Sequence, residues 1–330
     1  MLRFFANAKY DFIGVRRWAY GITAALILPS LLVLLVRGLN YSIEFTGGTL
    51  VQVRSHKAVD VGDIRSGLDR EGVHGAEIQN FGAPNEFVVR ARVAKPGTDA
   101  NDTQATANAV REALTRVLGA GHFTITRTEA VGPKVGGELR TKAFLAIFLS
   151  FFAVLAYLAY RFEWRFGLAA VIATAHDIVA TIAFIAMLRL EVSLTVVAAV
   201  LSMVGYSLND TIIIFDRVRE NLKKHKKETF EQILNRSINE TLPRSVLTHG
   251  TTLSSLLALT IFGGEVIRPF ALVMFFGVFT GTFSSIYIAS PVLMAIEKRW
   301  PGQLAKGHLA PTATPAPSVQ GGSRKTAPVG

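Results

Sequence analysis

Val192–Phe215 reads VSLTVVAAVLSMVGYSLNDTIIIF, and these 24 residues decide the fold. Their apolar residues recur at neither helix nor strand period but run almost without a break, and at about 1.5 Å per residue the stretch crosses a hydrocarbon core of roughly 30 Å. One carboxylate, Asp210, interrupts it. Five further stretches have the same character: 18–36, 143–160, 166–188, 245–263 and 269–296. Six transmembrane helices are expected. The first could be mistaken for a secretory signal, but no small-residue cleavage pattern precedes Arg37, so it is read as retained. Half of the 330 residues are apolar and only 18% charged, below the usual quarter, which argues against an ordinary soluble enzyme.

Lys and Arg orient the bundle. Residues 1–17, 161–165, 216–244 and 297–330 carry most of the basic charge outside 37–142, whereas the two short hairpins on the other side carry Arg189 and Arg268. The positive-inside rule therefore puts both termini in the cytoplasm. Residues 37–142 then lie outside, nearly neutral, as a folded domain. The net charge of +11 would raise the question of nucleic acid, but a basic run such as Arg217 to Lys227 beside a membrane helix is the normal inside signal, and no nucleic acid partner is expected.

The 37–142 segment can be read element by element. Residues 49–54 alternate as a strand. Asp60 caps a helix with Val61, Ile64 and Leu68 on one face. Strand-like runs at 76–81 and 86–93 flank Gly82-Ala83-Pro84-Asn85, a turn. A second helix covers 100–118 and a last strand 122–128. The order β-α-β-β-α-β predicts a ferredoxin-like α+β domain between the first two membrane helices. In the 216–244 loop, Thr229 and Gln232 make a capping box for a short amphipathic helix that should stop before Pro243. From Pro301 onward Pro, Ala, Thr, Ser and Gly dominate, predicting a disordered tail.

Chemistry is confined to few residues. There is no cysteine, and the seven histidines never pair at a metal-ligand spacing. No nucleophile–base pair, P-loop or nucleotide fingerprint is present. No enzyme activity, cofactor or metal is expected, and any work must draw on a gradient. A carboxylate within a membrane helix costs a few kcal/mol, so it faces the bundle interior or water and marks function. Asp177 and Asp210 qualify. Removal from water favours the neutral carboxyl and lets such a group exchange protons near neutral pH. His176 could satisfy Asp177 locally, which leaves Asp210 the sharper candidate. Arg244 and His249 on the fifth helix fall at a depth that could oppose it. Arg244 also suits a cytoplasmic anchor. Asp216, Arg217, Arg219 and Glu220 should pair with one another at helical spacing. Gly277/Gly281 and Ala169/Ala173 offer small-residue seams for close helix packing.

At these residues the sequence resembles a known family. Tyr41-Ser42-Ile43-Glu44-Phe45-Thr46-Gly47-Gly48-Thr49, Val131-Gly132-Pro133-Lys134-Val135-Gly136, His176-Asp177, the run from Ser207 through Asn209, Asp210, Asp216 and Arg217 to Asn221, and Leu242-Pro243-Arg244-Ser245 are similar to motifs of the SecD/SecF protein-export family, within the resistance-nodulation-division superfamily. The likeness covers roughly residues 10–300 and departs at the start, where Tyr-Ser-Ile-Glu replaces the more usual Gly-Ile-Asp. The Pro-rich tail lies outside it.

The resemblance implies a half-pump in the bacterial inner membrane that pairs with SecD and serves the SecYEG translocon. The pair would use the proton or sodium motive force to draw preproteins outward, with the external domain touching the preprotein. Asp210 and Arg244 match the family's proton-pathway positions, with Asp177 a weaker candidate and the partner carboxylate on SecD. Two alternatives stay open: an exporter of small hydrophobic compounds, and a passive scaffold for SecD. The external segment of about 100 residues is short for an efflux pump, and a scaffold would leave the cost of Asp210 unexplained.

Overall fold

The architecture was taken from a computed structural model, which describes residues 8–57, 59–91 and 103–309. In chain order the elements are α1 (Arg16–Arg37), β1 (Asn40–Tyr41), α2 (Ile43–Thr46), β2 (Gly48–Ser55), α3 (Val61–Arg70), β3 (Glu77–Phe81), β4 (Ala83–Ala91), α4 (Thr103–Leu118), β5 (Phe123–Val131), α5 (Pro133–Arg161), α6 (Trp164–Met187), β6 (Glu191–Val192), α7 (Leu194–Lys224), α8 (Phe230–Phe262), α9 (Gly264–Ser284), a π-helical turn (Ser285–Ala289), α10 (Ser290–Arg299) and α11 (Lys306–Leu309). Among the described residues, six helices are long and apolar enough to cross a membrane: α1, α5, α6, α7, α8 and the composite of α9 and α10. The protein is a polytopic helical membrane protein with a sheet-containing domain between its first two spans.

That domain has the expected order of elements. Its antiparallel sheet runs β3-β4-β2-β5, the arrangement of a ferredoxin-like fold, and α3 and α4 cover one face. Val51, Val53, Ile78, Phe87 and Val89 from the strands meet Ile64, Leu68, Val110 and Leu114 from the helices, all at or below 4% exposure. Asp60 caps α3 through Gly62 N at 2.7 Å. The β3–β4 turn is tighter than its sequence suggests. Gly82 alone separates the strands, with φ +74°, and β4 begins at Ala83, with Phe81 opposite Ala83. Residues 92–93 and 100–102, expected to extend the strand and the second helix, lie outside the described residues.

Two sequence motifs form a single structure where the domain meets the bundle. Gly47 has φ +73°, and a Cβ on it would come within 2.7 Å of Pro133 Cα. A Cβ on Gly136 would reach Gly47 N at 2.8 Å. Only glycines permit this backbone contact. β2 and β5 continue it with Gly48 opposite Val131, so the chain enters and leaves the domain as one paired stem.

In the bundle, α6 and α7 are half buried over their apolar windows, whereas α1 and α5 are almost wholly peripheral. Lipid tails are as apolar as leucine, so burial gives little drive here and close packing must hold the helices. Gly277 and Gly281 place α9 directly against Met203 and Ser207 of α7. Ala169 and Ala173 of α6 are buried in the same bundle, beside Phe166 and Phe215. Both small-residue seams thus pack within the chain.

Two expectations are corrected. The amphipathic helix does not stop before Pro243; α8 runs unbroken from Phe230 to Phe262 with Pro243 inside it. The proline removes one backbone bond. Packing of Phe230, Ile233, Leu234 and Ile238 in the core on one side, and a Ser245–Asp210 bond on the other, hold the halves in line. The start of the tail is also ordered. Gly302 N bonds Glu297 Oε2 at 2.7 Å, Ala305 is buried, and both ring nitrogens of His308 face backbone oxygens, Glu228 O at 2.7 Å and Leu222 O at 3.1 Å. An apolar Leu304-Ala305 pair and a buried histidine supply contacts that composition obscures. Residues 310–330 of the tail lie outside the described residues.

Candidate functional site: the polar stretch of the fourth span

Within α7, Ser207, Asp210 and Thr211 turn inward from an otherwise apolar helix, and each meets a different neighbour. Ser207 Oγ donates to Asp177 Oδ2 of α6 at 2.5 Å. Ser284 Oγ, at the end of α9, donates to the same oxygen at 2.7 Å. His176 Nδ1 lies 3.0 Å from Asp177 Oδ1. Asp177 is fully buried, and three side chains from three helices meet its two oxygens. Thr211 Oγ1 pairs with Ser285 Oγ at 2.8 Å, where the last span switches into its π-turn. An irregular helical turn of this kind is often found at functional sites.

Asp210 is furnished differently. Oδ1 accepts from Ser245 Oγ of α8 at 2.6 Å, while Oδ2 is buried with no partner among the described residues. One α8 turn beyond Ser245, His249 is buried and its Nδ1 is likewise without a partner. Its ring stands edge-on to Tyr206, centroids 5.4 Å apart. Tyr206 donates its hydroxyl to Thr252 Oγ1 at 2.9 Å. Arg244, next to Ser245, is exposed and makes no hydrogen bond or ion pair among the described residues. A buried polar atom left unpaired costs about 1–3 kcal/mol. Asp210 Oδ2 and His249 Nδ1 thus stand without partners among the described residues, whereas both Asp177 oxygens are bonded and the orphan on that side is the far ring nitrogen, His176 Nε2.

The remaining motif residues divide cleanly. Asp216 takes Arg161 of α5 at 2.6 Å and Arg219 at 3.7 Å, and Arg217 bonds Glu220 at 2.5 Å and Glu240 of α8 at 2.6 Å. These charges pair at helical spacing as expected and also tie α7 to α5 and α8. Asn209 is exposed on the opposite side of α7 from Ser207 and has no hydrogen bond among the described residues. Phe45, Thr46, Gly47, Gly48 and Thr49 belong to the domain stem, far along the chain from Asp210. Ser207 and Ser245 fall within the motif runs but carry no assigned role there, and Ser284 and Ser285 have no signal beyond a hydroxyl in an apolar helix, which is too common to select them.

A family model described as protein export membrane protein SecD/SecF, C-terminal, matches residues 110–299, and one for the SecD/SecF GG motif matches residues 32–59. The chain belongs to the SecD/SecF family. A protein translocase subunit SecF from Gemmatimonas aurantiaca is 58% identical over 305 residues, covering 91% of both chains. A SecF of Escherichia coli O157:H7 is 36% identical over 287 residues, 87% of this chain and 88% of its own. Among solved structures, SecDF from Thermus thermophilus, a translocon-associated membrane protein, matches with TM-score 0.78 and 37% identity over 88% of this chain. SecDF in a super-membrane-facing form matches with TM-score 0.64. This chain spans 39% of the length of each SecDF chain. The family's GG motif is therefore the Gly47–Gly48 stem, and the C-terminal model takes in the whole polar cluster around Asp177 and Asp210.

Proposed function

We propose that this chain is the SecF half of a SecDF-type assembly in the bacterial inner membrane, which draws on an ion gradient to help preproteins through the Sec translocon. Its basic end, with Arg161, Arg165 and the α7–α8 loop, faces the cytoplasm with both termini, and the α+β domain faces outward to meet preprotein. Asp210 is the carboxylate that takes up and releases the ion, and Arg244 modulates it from α8. A SecD half would supply the facing carboxylate. The observation that carries this reading is the contrast between two buried aspartates: Asp177 has both oxygens engaged, while Asp210 keeps one oxygen without a partner among the described residues. A carboxylate whose bonds are all made is an anchor; one with a vacancy can change state.

One charge moved through the membrane potential yields about 2.3 kcal/mol per 100 mV, enough to bias a two-state element roughly 50-fold. Asp210→Asn preserves shape and the bond from Ser245 but cannot titrate. The variant should insert and assemble normally, yet lose gradient-driven stimulation of translocation in vesicles. Full stimulation by Asp210→Asn under an imposed gradient would reject the ion-carrier role and leave a scaffold.

A further inference from the structure

The short hairpin between α6 and α7 is held from three directions, and all three lead to the α+β domain or its stem. β6 pairs in parallel with β1, placing Asn40 opposite Glu191 and Tyr41 opposite Val192, and Ser42 N bonds Val192 O at 2.9 Å. Arg189, held at φ +53°, donates to Gly38 O at 2.9 Å just past the end of α1. Glu44 of α2 accepts from Leu194 N at 2.6 Å, so a residue of the stem stabilises the N-terminus of α7.

The fourth contact crosses from the sheet itself. Arg90, near the end of the interior strand β4, pairs through Nη2 with Glu191 Oε2, and its Nη1 bonds Gln79 Oε1 of β3 at 3.2 Å. Both side chains are largely out of water, at 13% and 26% exposure, and Arg90 Nε is buried without a partner among the described residues. The two residues are 101 positions apart.

We infer that Arg90 and Glu191 are a positioning pair, the joint through which movement of α7 reaches the α+β domain. The functional consequence rests on the proposed role of Asp210; the joint itself does not. α7 continues from this joint to Asp210 without a break, 16 residues or about 24 Å along one helix. A rigid rod attached at one end to a domain and carrying a charge-changing group further along passes displacement between them. Backbone pairing at the hairpin amounts to two residues per strand, too little to set the domain's angle by itself. A buried ion pair, by contrast, contributes little net stability but penalises every misaligned geometry.

The local charges sharpen this. Glu44 and Glu77 crowd Glu191, while Arg189 is directed to backbone oxygens, so Arg90 is the cation that relieves the cluster. Burial pushes the Glu191 carboxyl up from its ordinary value, the two neighbouring carboxylates push it further, and Arg90 pulls it back. Loss of Arg90 thus leaves the largely buried Glu191 carboxylate without its cation, with Glu77 opposite position 90 on β3, and favours separation of domain and hairpin.

The chain has no native cysteine, which allows clean labelling. Spin labels on Arg65→Cys, exposed on α3, and Val266→Cys, exposed at the same end of the bundle, report the domain's angle in the full-length protein. The parent should give a narrow distance distribution, and Arg90→Gln and Glu191→Gln should each broaden it about twofold. The exchange Arg90→Glu with Glu191→Arg should narrow it again, which separates a lost joint from a misfolded domain. In translocation assays the single variants should lose gradient stimulation about tenfold, the size of a typical coupling between linked sites, and the exchange should regain it. Unchanged distances in both single variants would overturn the joint, and broadened distances with full stimulation would overturn its role in transmission. The distance measurement needs no gradient, so its failure is distinct from retention of stimulation by Asp210→Asn.

Discussion

Gly281→Ala is the most direct test of how the bundle is held together. An added Cβ would lie 2.7 Å from Ser207 Cβ, 2.9 Å from its Oγ and 3.2 Å from its Cα. Ordinary contact begins near 3.4 Å, so α9 and α7 must part by about 0.7 Å, and because the obstacle includes backbone, no rotamer change removes it. Overpacking of this kind costs about 1–3 kcal/mol. The displaced Ser207 also carries a bond to Asp177, worth about 0.6 kcal/mol and up to about 1.7 in a membrane bundle. A total of about 2–5 kcal/mol is expected, measured by denaturant titration of the detergent-solubilised chain with helical circular dichroism. Gly277→Ala meets a shorter clash, 2.3 Å from Cγ and 3.1 Å from Cβ of the fully buried Met203, and should likewise cost about 1–3 kcal/mol. If Gly281→Ala is as stable as the parent, the backbone-contact argument is wrong.

Three other outcomes follow from the same contacts. Asp177→Asn keeps an acceptor for Ser207 and Ser284 and should largely retain gradient stimulation, whereas Asp177→Leu leaves Ser207 and His176 Nδ1 unpaired, at about 1–3 kcal/mol each, with Ser284 falling back on Gly281 O, and should lower the unfolding midpoint markedly. The Arg236 side chain bonded to Glu228 at the α7–α8 loop holds that carboxyl below its ordinary 4.5, so its stabilisation is complete above the unfolded value and is lost as pH falls through the lower folded one. Thermal stability should therefore drop from about pH 5 to about pH 3 less steeply in Glu228→Gln than in the parent. Reporters fused after Arg92 and after Lys226 should be accessible from opposite sides of the membrane; accessibility from one side would contradict the six-span topology.

Much of the architecture was legible because the membrane imposes it. A helix crossing hydrocarbon needs about 20 apolar residues, and a half-covered sheet needs alternation, so the spans and the order of the domain's elements can be read locally. Where reading failed, the deciding contact was remote. Pro243 looks like a helix end, but Ser245 is bonded to Asp210 35 residues earlier, and helix continues through it. The first tail residues look like coil, yet His308 is bonded to carbonyls 80 and 86 residues away. The site divides in the same way. Asp177 and Asp210 declare themselves by charge in apolar helices. The serines that distinguish anchor from vacancy do not, because which helices touch is not written in any one of them.

These partners also bear on how α7 could move. Ser207 and Thr211 lie one helical turn apart and fasten α7 to α6 and to the end of α9 through Asp177, Ser284 and Ser285. Asp210, between them in sequence, turns instead to α8 and is held there by Ser245 alone. A change in the charge of Asp210 would therefore act first on its own bond to Ser245, while Tyr206–Thr252 and Arg217–Glu240 keep α7 and α8 joined on either side of it. The contacts to α6 and α9, with every Asp177 oxygen engaged, need not break. Under the role proposed for Asp210, the switch is thus local to the Ser245 bond, and α7 links it to the end of the helix where Leu194 meets Glu44 and Glu191 meets Arg90.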